Sequence, residues 1–128
     1  MTPKPETADV ASSIRAAMEK LLELDVRHLP IVDHGQLVGI VSDRDLREVT
    51  SRLLREGVTS TGPSLSTPIG AVMSSDVLSV DPETDLAEAC DLMIEHRVGA
   101  LPVVVTGTDE LVGIVSYVDL LRAARERF

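Results

Sequence analysis

Leu29-Pro30-Ile31-Val32 and Leu37-Val38-Gly39-Ile40-Val41-Ser42 decide how this chain folds, because both stretches return later in it. The first returns 72 residues later as Leu101-Pro102-Val103-Val104, and the second returns 74 residues later as Leu111-Val112-Gly113-Ile114-Val115-Ser116. The two additional residues fall in the turn-like segment between the stretches, where insertions are tolerated best. The chain is therefore a tandem repeat.

Each copy predicts the same order of elements: strand, helix, two strands and a last helix. Apolar residues at helical spacing predict a helix at 14–22 and another at 86–94, and Asp81-Pro82 is predicted to begin the second of them. Alternating apolar runs around the turns predict hairpins. The predicted first strands are 5–8 and 77–80, the predicted hairpins pair 30–32 with 37–41 and 102–105 with 111–115, and the predicted last helices are 42–56 and 116–127.

The repeat also predicts how the chain is organised. We expect residues 1–56 to form the first repeat, residues 57–70 to form a linker rich in Gly, Ser, Thr and Pro, and residues 71–128 to form the second repeat. One copy of roughly 60 residues is marginal alone, because it buries too small a fraction of its surface. We therefore expect an α+β fold in which two βαββα repeats pack through their sheets with pseudo-two-fold symmetry. Clefts between packed units are frequent ligand sites.

Composition limits the classes of function. The chain has 12 Lys and Arg against 21 Asp and Glu, a formal net charge of -9. That balance argues against a broad nucleic-acid surface, which needs a basic footprint, and 2% aromatic residues supply no row of stacking platforms. No apolar run is long enough to span a bilayer, and no signal peptide is evident. We expect a cytoplasmic protein that binds neither nucleic acid nor membrane.

The repeated segments 26–33 with 37–46, and 97–104 with 111–120, resemble CBS (cystathionine-β-synthase) domains in tandem, the arrangement called a Bateman module. The resemblance covers nearly the whole chain apart from the linker and the last residues. It implies a regulatory, non-catalytic module that senses an adenine nucleotide or related compound: AMP, ADP, ATP, NAD or S-adenosylmethionine. It also implies a homodimer formed through the helices at 42–56 and 116–127, and a protein target that the sequence does not name.

The resemblance assigns roles to particular residues. Ser42 with Asp45, and Ser116 with Asp119, would contact ribose hydroxyls or the phosphate end of the ligand. Arg27 and His28 would face phosphate, and the backbone around Thr7 and around Val77 to Ser79 would bracket the adenine. The chemistry agrees, because an ionised Asp accepts hydrogen bonds from adjacent hydroxyls. A strand end that leads into a helix N-terminus also favours anions.

Each of these residues has a structural alternative. Both Ser-x-x-Asp segments fit a helix N-cap, whatever else they do. Arg27 fits a solvated cation at a helix C-terminus, and His28 fits a half-buried surface residue. The second copy carries Gly99 and Ala100 in place of the basic pair. We therefore expect two unequal sites, with the Asp45 site the stronger.

Three other functions compete with nucleotide sensing. A structural or protein-interaction module without ligand is favoured by the loss of the basic pair in the second copy. An enzyme is disfavoured, because no nucleophile–base pair, metal set or Gly-rich phosphate loop is evident, and Cys90 on an apolar helix face predicts core packing. The net charge disfavours a nucleic-acid binder. The arginines of the two last helices predict solvated faces with some ion pairs; a phosphate or dimer contact from Arg44 or Arg122 is the alternative.

Overall fold

The computed structural model describes residues 2–3, 5–56 and 64–127, so residues 57–63 of the predicted linker lie outside the described residues. The chain divides into two compact units. One comprises residues 6–34 and 38–77 and is called the Asp45 unit; the other comprises residues 1–5, 35–37 and 78–128 and is called the Asp119 unit.

The described residues form the predicted helix–strand–strand–helix order in both repeats, with an unpredicted strand at Thr2–Pro3 and no full strand before the second repeat's first helix. The elements are β1 (Thr2–Pro3), β2 (Ala8–Asp9), α1 (Ile14–Leu24), β3 (His28–Asp33), β4 (Gln36–Ser42), α2 (Asp43–Glu56), a 3-10 turn (Ile69–Ala71), α3 (Leu86–His96), β5 (Ala100–Val104), β6 (Leu111–Ser116) and α4 (Tyr117–Arg125).

Two small sheets result, and they confirm the α+β class. The first has the strand order β2-β3-β4, and the second has the order β1-β6-β5. β2 runs parallel to β3, with Ala8 opposite Ile31. β5 and β6 form the predicted antiparallel hairpin, with Leu101 opposite Val115.

The repeats exchange short segments. β1 belongs to the first repeat but pairs with β6 of the second, with Thr2 opposite Ile114. Ser74, 72 residues after Thr2, pairs with Ile40 of β4 through two hydrogen bonds of 3.0 Å. Each sheet is thus completed by residues of the other repeat, and the compact units therefore differ from the repeats.

Each unit has its own apolar core. In the Asp45 unit the core includes one face of α1 and the centres of β3 and β4, and its fully buried members are Ile14, Ala17, Leu29, Ile31, Val41 and Ile69. In the Asp119 unit the buried core comprises Val80, Ala89, Met93, Leu101, Val103 and Val115. The helical and strand spacing seen in the sequence produces these buried faces.

The entry to α3 differs from the prediction. The helix begins at Leu86 rather than at Asp81-Pro82, and Asp85 is its N-cap, accepting a 2.9 Å hydrogen bond from the Glu88 N–H. Asp81 accepts a hydrogen bond from the Glu83 N–H at 2.8 Å. This local side-chain bond closes a turn in place of the first helical turn.

The first strands of the repeats are shorter than predicted. β2 is confined to Ala8–Asp9, and of the predicted strand 77–80 only Val80 forms a bridge, to Val103. The side chain of Asp9, the last residue of β2, accepts a hydrogen bond from the Ala11 N–H at 2.9 Å. The chain therefore turns toward α1 instead of continuing along β3.

We predict that position 39 must be glycine for full stability, because Ser74 pairs with β4 beside it. A Cβ at Gly39 would lie 3.0 Å from the Ser74 carbonyl oxygen and 2.9 Å from Met73 Cγ. We expect Gly39→Ala to lower the free energy of unfolding by about 1–3 kcal/mol, as overpacked sites do, measured by urea denaturation. In a Met73→Ala background the same substitution should cost less but not nothing. A cost of zero there would show that the Ser74 backbone does not constrain this position.

Candidate functional site

Each last helix begins with reciprocal hydrogen bonds between a serine and an aspartate. The Ser42 N–H donates to Asp45 Oδ2 at 3.0 Å, and the Asp45 N–H donates to Ser42 Oγ at 3.1 Å. Ser116 and Asp119 do the same at 2.9 and 3.3 Å. Capping by both serines is thereby confirmed. Within the described residues no hydrogen bond reaches Oδ1 of either aspartate, so each carboxylate is oriented through one oxygen only.

A backbone hydrogen bond ties the start of α2 to the residue before β3. The Asp43 N–H donates to the Arg27 carbonyl at 2.9 Å, and in the second repeat the Tyr117 N–H donates to the Gly99 carbonyl at 3.0 Å. This bond places Arg27 and His28 beside the Ser42–Asp45 cap. The structure thus brings together four of the residues predicted for the first site.

The pKa of His28 reflects the burial and the charges around this side chain. Its side chain is half-buried, and burial lowers the pKa of His28 below the usual 6.5. Asp43 and Asp45 act in the opposite direction and raise the pKa, while Arg27 lowers it further. His28 therefore lies within electrostatic reach of two carboxylates and one guanidinium, and a neutral imidazole there both donates and accepts hydrogen bonds.

Thr7 lies at the same edge of the sheet, immediately before β2. Its carbonyl oxygen accepts a hydrogen bond from Lys20 Nζ of α1. Sequence reasoning missed Lys20, although the repeat contained a signal for it: the equivalent residue 72 positions later is Leu92. A lysine on a helix face where the other copy has leucine is a chemical difference between the copies.

The second predicted site has the cap without the cations. Ser116 and Asp119 form the capping box at α4, and Ser79 precedes Val80, which bridges β5. The positions of Lys20, Arg27 and His28 are occupied by Leu92, Gly99 and Ala100, and Ala100 is buried. Val77, predicted for this site, falls in the Asp45 unit.

The described part of the chain gives little support for a metal site, a reactive cysteine or a membrane-spanning helix. Among residues 2–3, 5–56 and 64–127, no group of three or more His, Cys, Asp or Glu could hold a metal ion. Cys90 is a half-buried free thiol on α3. No described helix has the length and apolar character needed to cross a membrane.

Comparison with known proteins establishes the family. The sequence profile of the CBS domain matches residues 1–52 and again residues 69–126. The chain is 32% identical over 120 residues to the CBS domain-containing protein YhcV of Bacillus subtilis strain 168, an alignment that covers 94% of this chain and 79% of YhcV. The chain therefore belongs to the CBS domain family and carries two copies of the domain.

Solved structures of two CBS proteins resemble the chain closely. CBSX2, whose structure contains AMP, superposes with a TM-score of 0.84 at 32% identity, covering 98% of this chain and 93% of CBSX2. The CBS domain pair of protein MJ0100, in complex with 5'-methylthioadenosine and S-adenosyl-L-methionine, superposes with a TM-score of 0.78 at 26% identity, covering 99% and 94% of the two chains. These neighbours bind adenosine compounds.

Replacing His28 should change how stability depends on pH. Because the folded-state pKa lies below 6.5, the unfolded chain binds the proton more tightly than the folded chain. The His28 contribution to the free energy of unfolding is therefore lost as the pH falls from about 6.5 toward the folded pKa. His28→Asn should flatten this part of the profile, measured as urea midpoints between pH 7.5 and pH 5.

Substitutions of two neighbouring residues serve as controls, because they should shift the pKa of His28 in opposite directions. Arg27→Gln removes a group that lowers the His28 pKa, so the loss of stability on acidification should become smaller. Asp43→Asn removes a group that raises the pKa, so the loss should become larger. Identical profiles for both variants would contradict the position of His28 between these groups.

Proposed function

We propose that the chain is a regulatory module that binds an adenosine compound at the Asp45 site. The observation that carries this proposal is the Ser42–Asp45 capping box beside Arg27 and His28. The cap holds the Asp45 carboxylate in one orientation, and a carboxylate accepts hydrogen bonds from the two adjacent hydroxyls of ribose. His28 supplies a neutral donor or acceptor at the same edge.

The cations favour a phosphate group at this site. Asp43 and Asp45 occupy the first turn of α2, so their carboxylates partly neutralise the positive end of the helix dipole. Arg27 and Lys20 are therefore the stronger phosphate partners, and a guanidinium forms bidentate hydrogen bonds with phosphate. We propose AMP, or ADP or ATP, ahead of NAD and S-adenosylmethionine.

The Asp119 site is proposed to bind more weakly or to take a ligand with less negative charge. It retains Ser116 and Asp119 for ribose, and Ser79 remains a proposed contact near the adenine. Leu92, Gly99 and Ala100 provide no charge for phosphate. The neighbour that binds 5'-methylthioadenosine supports this choice, because that compound lacks phosphate.

Regulation follows from differential binding. A ligand shifts a conformational or partner-binding equilibrium only by the difference in its affinity for the two states. We propose a non-enzymatic, cytoplasmic homodimer that passes this shift to a protein target without contacting nucleic acid or membrane. Its proposed divisions are repeats at residues 1–56 and 71–128, joined by a linker at 57–70.

A second function is a protein-interaction module that binds no nucleotide. The capping boxes favour it, because they explain Ser42, Asp45, Ser116 and Asp119 as structural residues without any ligand. The uncharged Asp119 site favours it for half of the protein.

Thermal unfolding with and without ligand separates the two functions. AMP, ADP, ATP, NAD and S-adenosylmethionine are each added to the full chain, and a ligand at 100 times its Kd should stabilise it by about 2.7 kcal/mol. Asp45→Asn should remove most of the shift, because an amide no longer accepts from two hydroxyls as a carboxylate does. Its carbonyl still accepts from the Ser42 N–H, so the cap is retained.

Asp119→Asn is the matched control, since it makes the same chemical change in the same type of cap. It should leave most of the AMP shift. Equal losses in the two variants would refute unequal sites, and no shift with any compound at millimolar concentration would favour the interaction module.

Lys20→Leu gives the first repeat the residue type found at the equivalent position of the second, Leu92, and tests the role of the lysine charge. We expect it to weaken AMP binding by about 1.5–3 kcal/mol, the range of a hydrogen bond to a charged group, and to leave adenosine binding nearly unchanged. Isothermal titration calorimetry with both compounds measures the difference. An equal loss for AMP and adenosine would show that Lys20 acts by positioning Thr7 rather than by its charge.

A further inference from the structure

Asp43, the first residue of α2, carries a carboxylate that the proposed nucleotide contacts do not use. Its backbone N–H donates to the Arg27 carbonyl at 2.9 Å, and this bond fixes the Asp43 backbone beside Arg27 and His28. The Asp43 carboxylate lies within electrostatic reach of His28 and raises the pKa of that side chain more than Asp45 does. Asp43 therefore lies next to the residues that are proposed to face phosphate.

The helix itself neutralises the charge of Asp43 only weakly. Asp43 Oδ2 lies 3.7 Å from Arg47 Nη2, a distance longer than the approximately 2.7–2.9 Å of a charge-assisted hydrogen bond. The two side chains are 45% and 75% exposed, and exposed ion pairs contribute little. Asp45, in contrast, has one carboxylate oxygen bound by the Ser42 N–H. Asp43 thus keeps most of its negative charge available to act on a ligand.

The fold does not require an acid at this position. The equivalent residue of the second repeat, 74 positions later, is Tyr117. α4 begins there after the same type of cap, and the Tyr117 N–H makes the same backbone bond, to the Gly99 carbonyl at 3.0 Å. The acid is present in the copy that has Arg27 and His28 and absent from the copy that has Gly99 and Ala100. This co-occurrence favours a role at the ligand site over a role in starting the helix.

The cations proposed for the Asp45 site match the charge of one phosphate group. Arg27 and Lys20, its proposed phosphate partners, carry two positive charges, and a phosphate monoester carries about -1.5 to -2 near neutral pH. Arg44 instead pairs with a glutamate one turn further along α2, at 3.8 Å. A second or third phosphate would add negative charge close to Asp43 without a further cation to meet it. Repulsion of the wrong ligand is a common means of specificity.

We propose that Asp43 is a specificity-determining residue of the Asp45 site and restricts it to a nucleoside monophosphate, because its carboxylate repels the additional phosphates of ADP and ATP. This inference rests on the proposed function, since it requires an adenosine compound at the site. It makes a choice that Asp45 and Arg27 do not make. Those two residues are proposed to contact ribose and the first phosphate, which AMP, ADP and ATP share.

Isothermal titration calorimetry of the full chain with AMP, ADP and ATP tests this proposal. EDTA is present, so that no divalent cation neutralises the phosphates. The wild type should bind AMP at least tenfold more tightly than ATP, with ADP between them. Asp43→Asn keeps the size of the side chain but removes its charge, so the preference for AMP over ATP should fall at least fivefold, chiefly through tighter ATP binding. An unchanged preference in this variant would overturn the proposal.

Glu48→Gln is the matched control, because it removes the same charge from the same helix. Glu48 lies one turn beyond Arg44, with its side chain 68% exposed, and it is not among the proposed ligand contacts. This variant should change the preference for AMP over ATP less than twofold. Equal changes in Asp43→Asn and Glu48→Gln would show a general effect of net charge and overturn the proposal. Asp43→Glu keeps the charge and should retain the preference within about threefold, as a like-charge repulsion requires; loss of the preference there would also overturn it.

A stability measurement separates ligand specificity from helix capping. An acid in the first turn also stabilises a helix, so Asp43→Asn should lower the urea midpoint as well. A lower midpoint with an unchanged preference among the nucleotides would make Asp43 a structural residue only. If Asp43→Asn does not fold, Asp43→Tyr introduces the residue type with which α4 begins. It should reduce the preference for AMP in the same direction, and an unchanged preference there would overturn the proposal.

The wild-type titrations distinguish this proposal from the proposed function on which it rests. Tight binding of AMP with equal affinity for ATP would leave the proposed function in place and overturn only the restriction to a monophosphate. No binding of AMP, ADP or ATP at millimolar concentration would overturn both.

Discussion

The reciprocal hydrogen bonds between Ser42 and Asp45 support both the fold and the candidate site. They end β4, begin α2 and leave the aspartate with one oxygen committed to the backbone. The Asp43–Arg27 backbone bond then holds the start of the hairpin against the start of the helix. Both bonds join segments of the same hairpin and helix, so the secondary structure itself holds Ser42, Asp45 and the Arg27 backbone of the candidate site in place.

The two copies share this framework and differ in charge. The Ser116–Asp119 cap and the Tyr117–Gly99 bond reproduce the geometry of the first copy. The side chains around it are apolar or absent where the first copy has Lys20, Arg27 and His28. The two copies thus share the hydrogen bonds that begin their last helices, while the side chains around these bonds differ in charge.

Charge also separates two surfaces of the first repeat. At the start of α2, carboxylates dominate, with Arg27 and a half-buried His28 beside them. Farther along the same helix, arginines dominate the exposed side. An overall charge of -9 conceals this pattern, because net charge controls long-range repulsion while binding depends on groups within a Debye length, about 8–10 Å in ordinary salt. One helix therefore carries a candidate ligand site at its start and a basic exposed side along its length.

The sequence alone determined the repeat, the hairpins, the α+β class and the existence of α1 and α3. These features depend on local periodicity and on turn residues, which act between near neighbours in the chain. The Ser-x-x-Asp caps were predictable for the same reason, and so was the grouping of Arg27 and His28 with Asp45, through the family resemblance.

Only the tertiary structure decided the remaining features. The start of α3 depended on whether Asp81 or Asp85 capped the helix, and both residues fit the local pattern. The exchange of Thr2 and Ser74 between the repeats depended on pairing with Ile114 and Ile40, and no local pattern encodes a partner more than thirty residues away. The contact between Lys20 and Thr7 depended on the rotation of α1 against β2. The last two outcomes are set by packing between distant segments, because short segments of similar propensity are selected by the surfaces that they can bury.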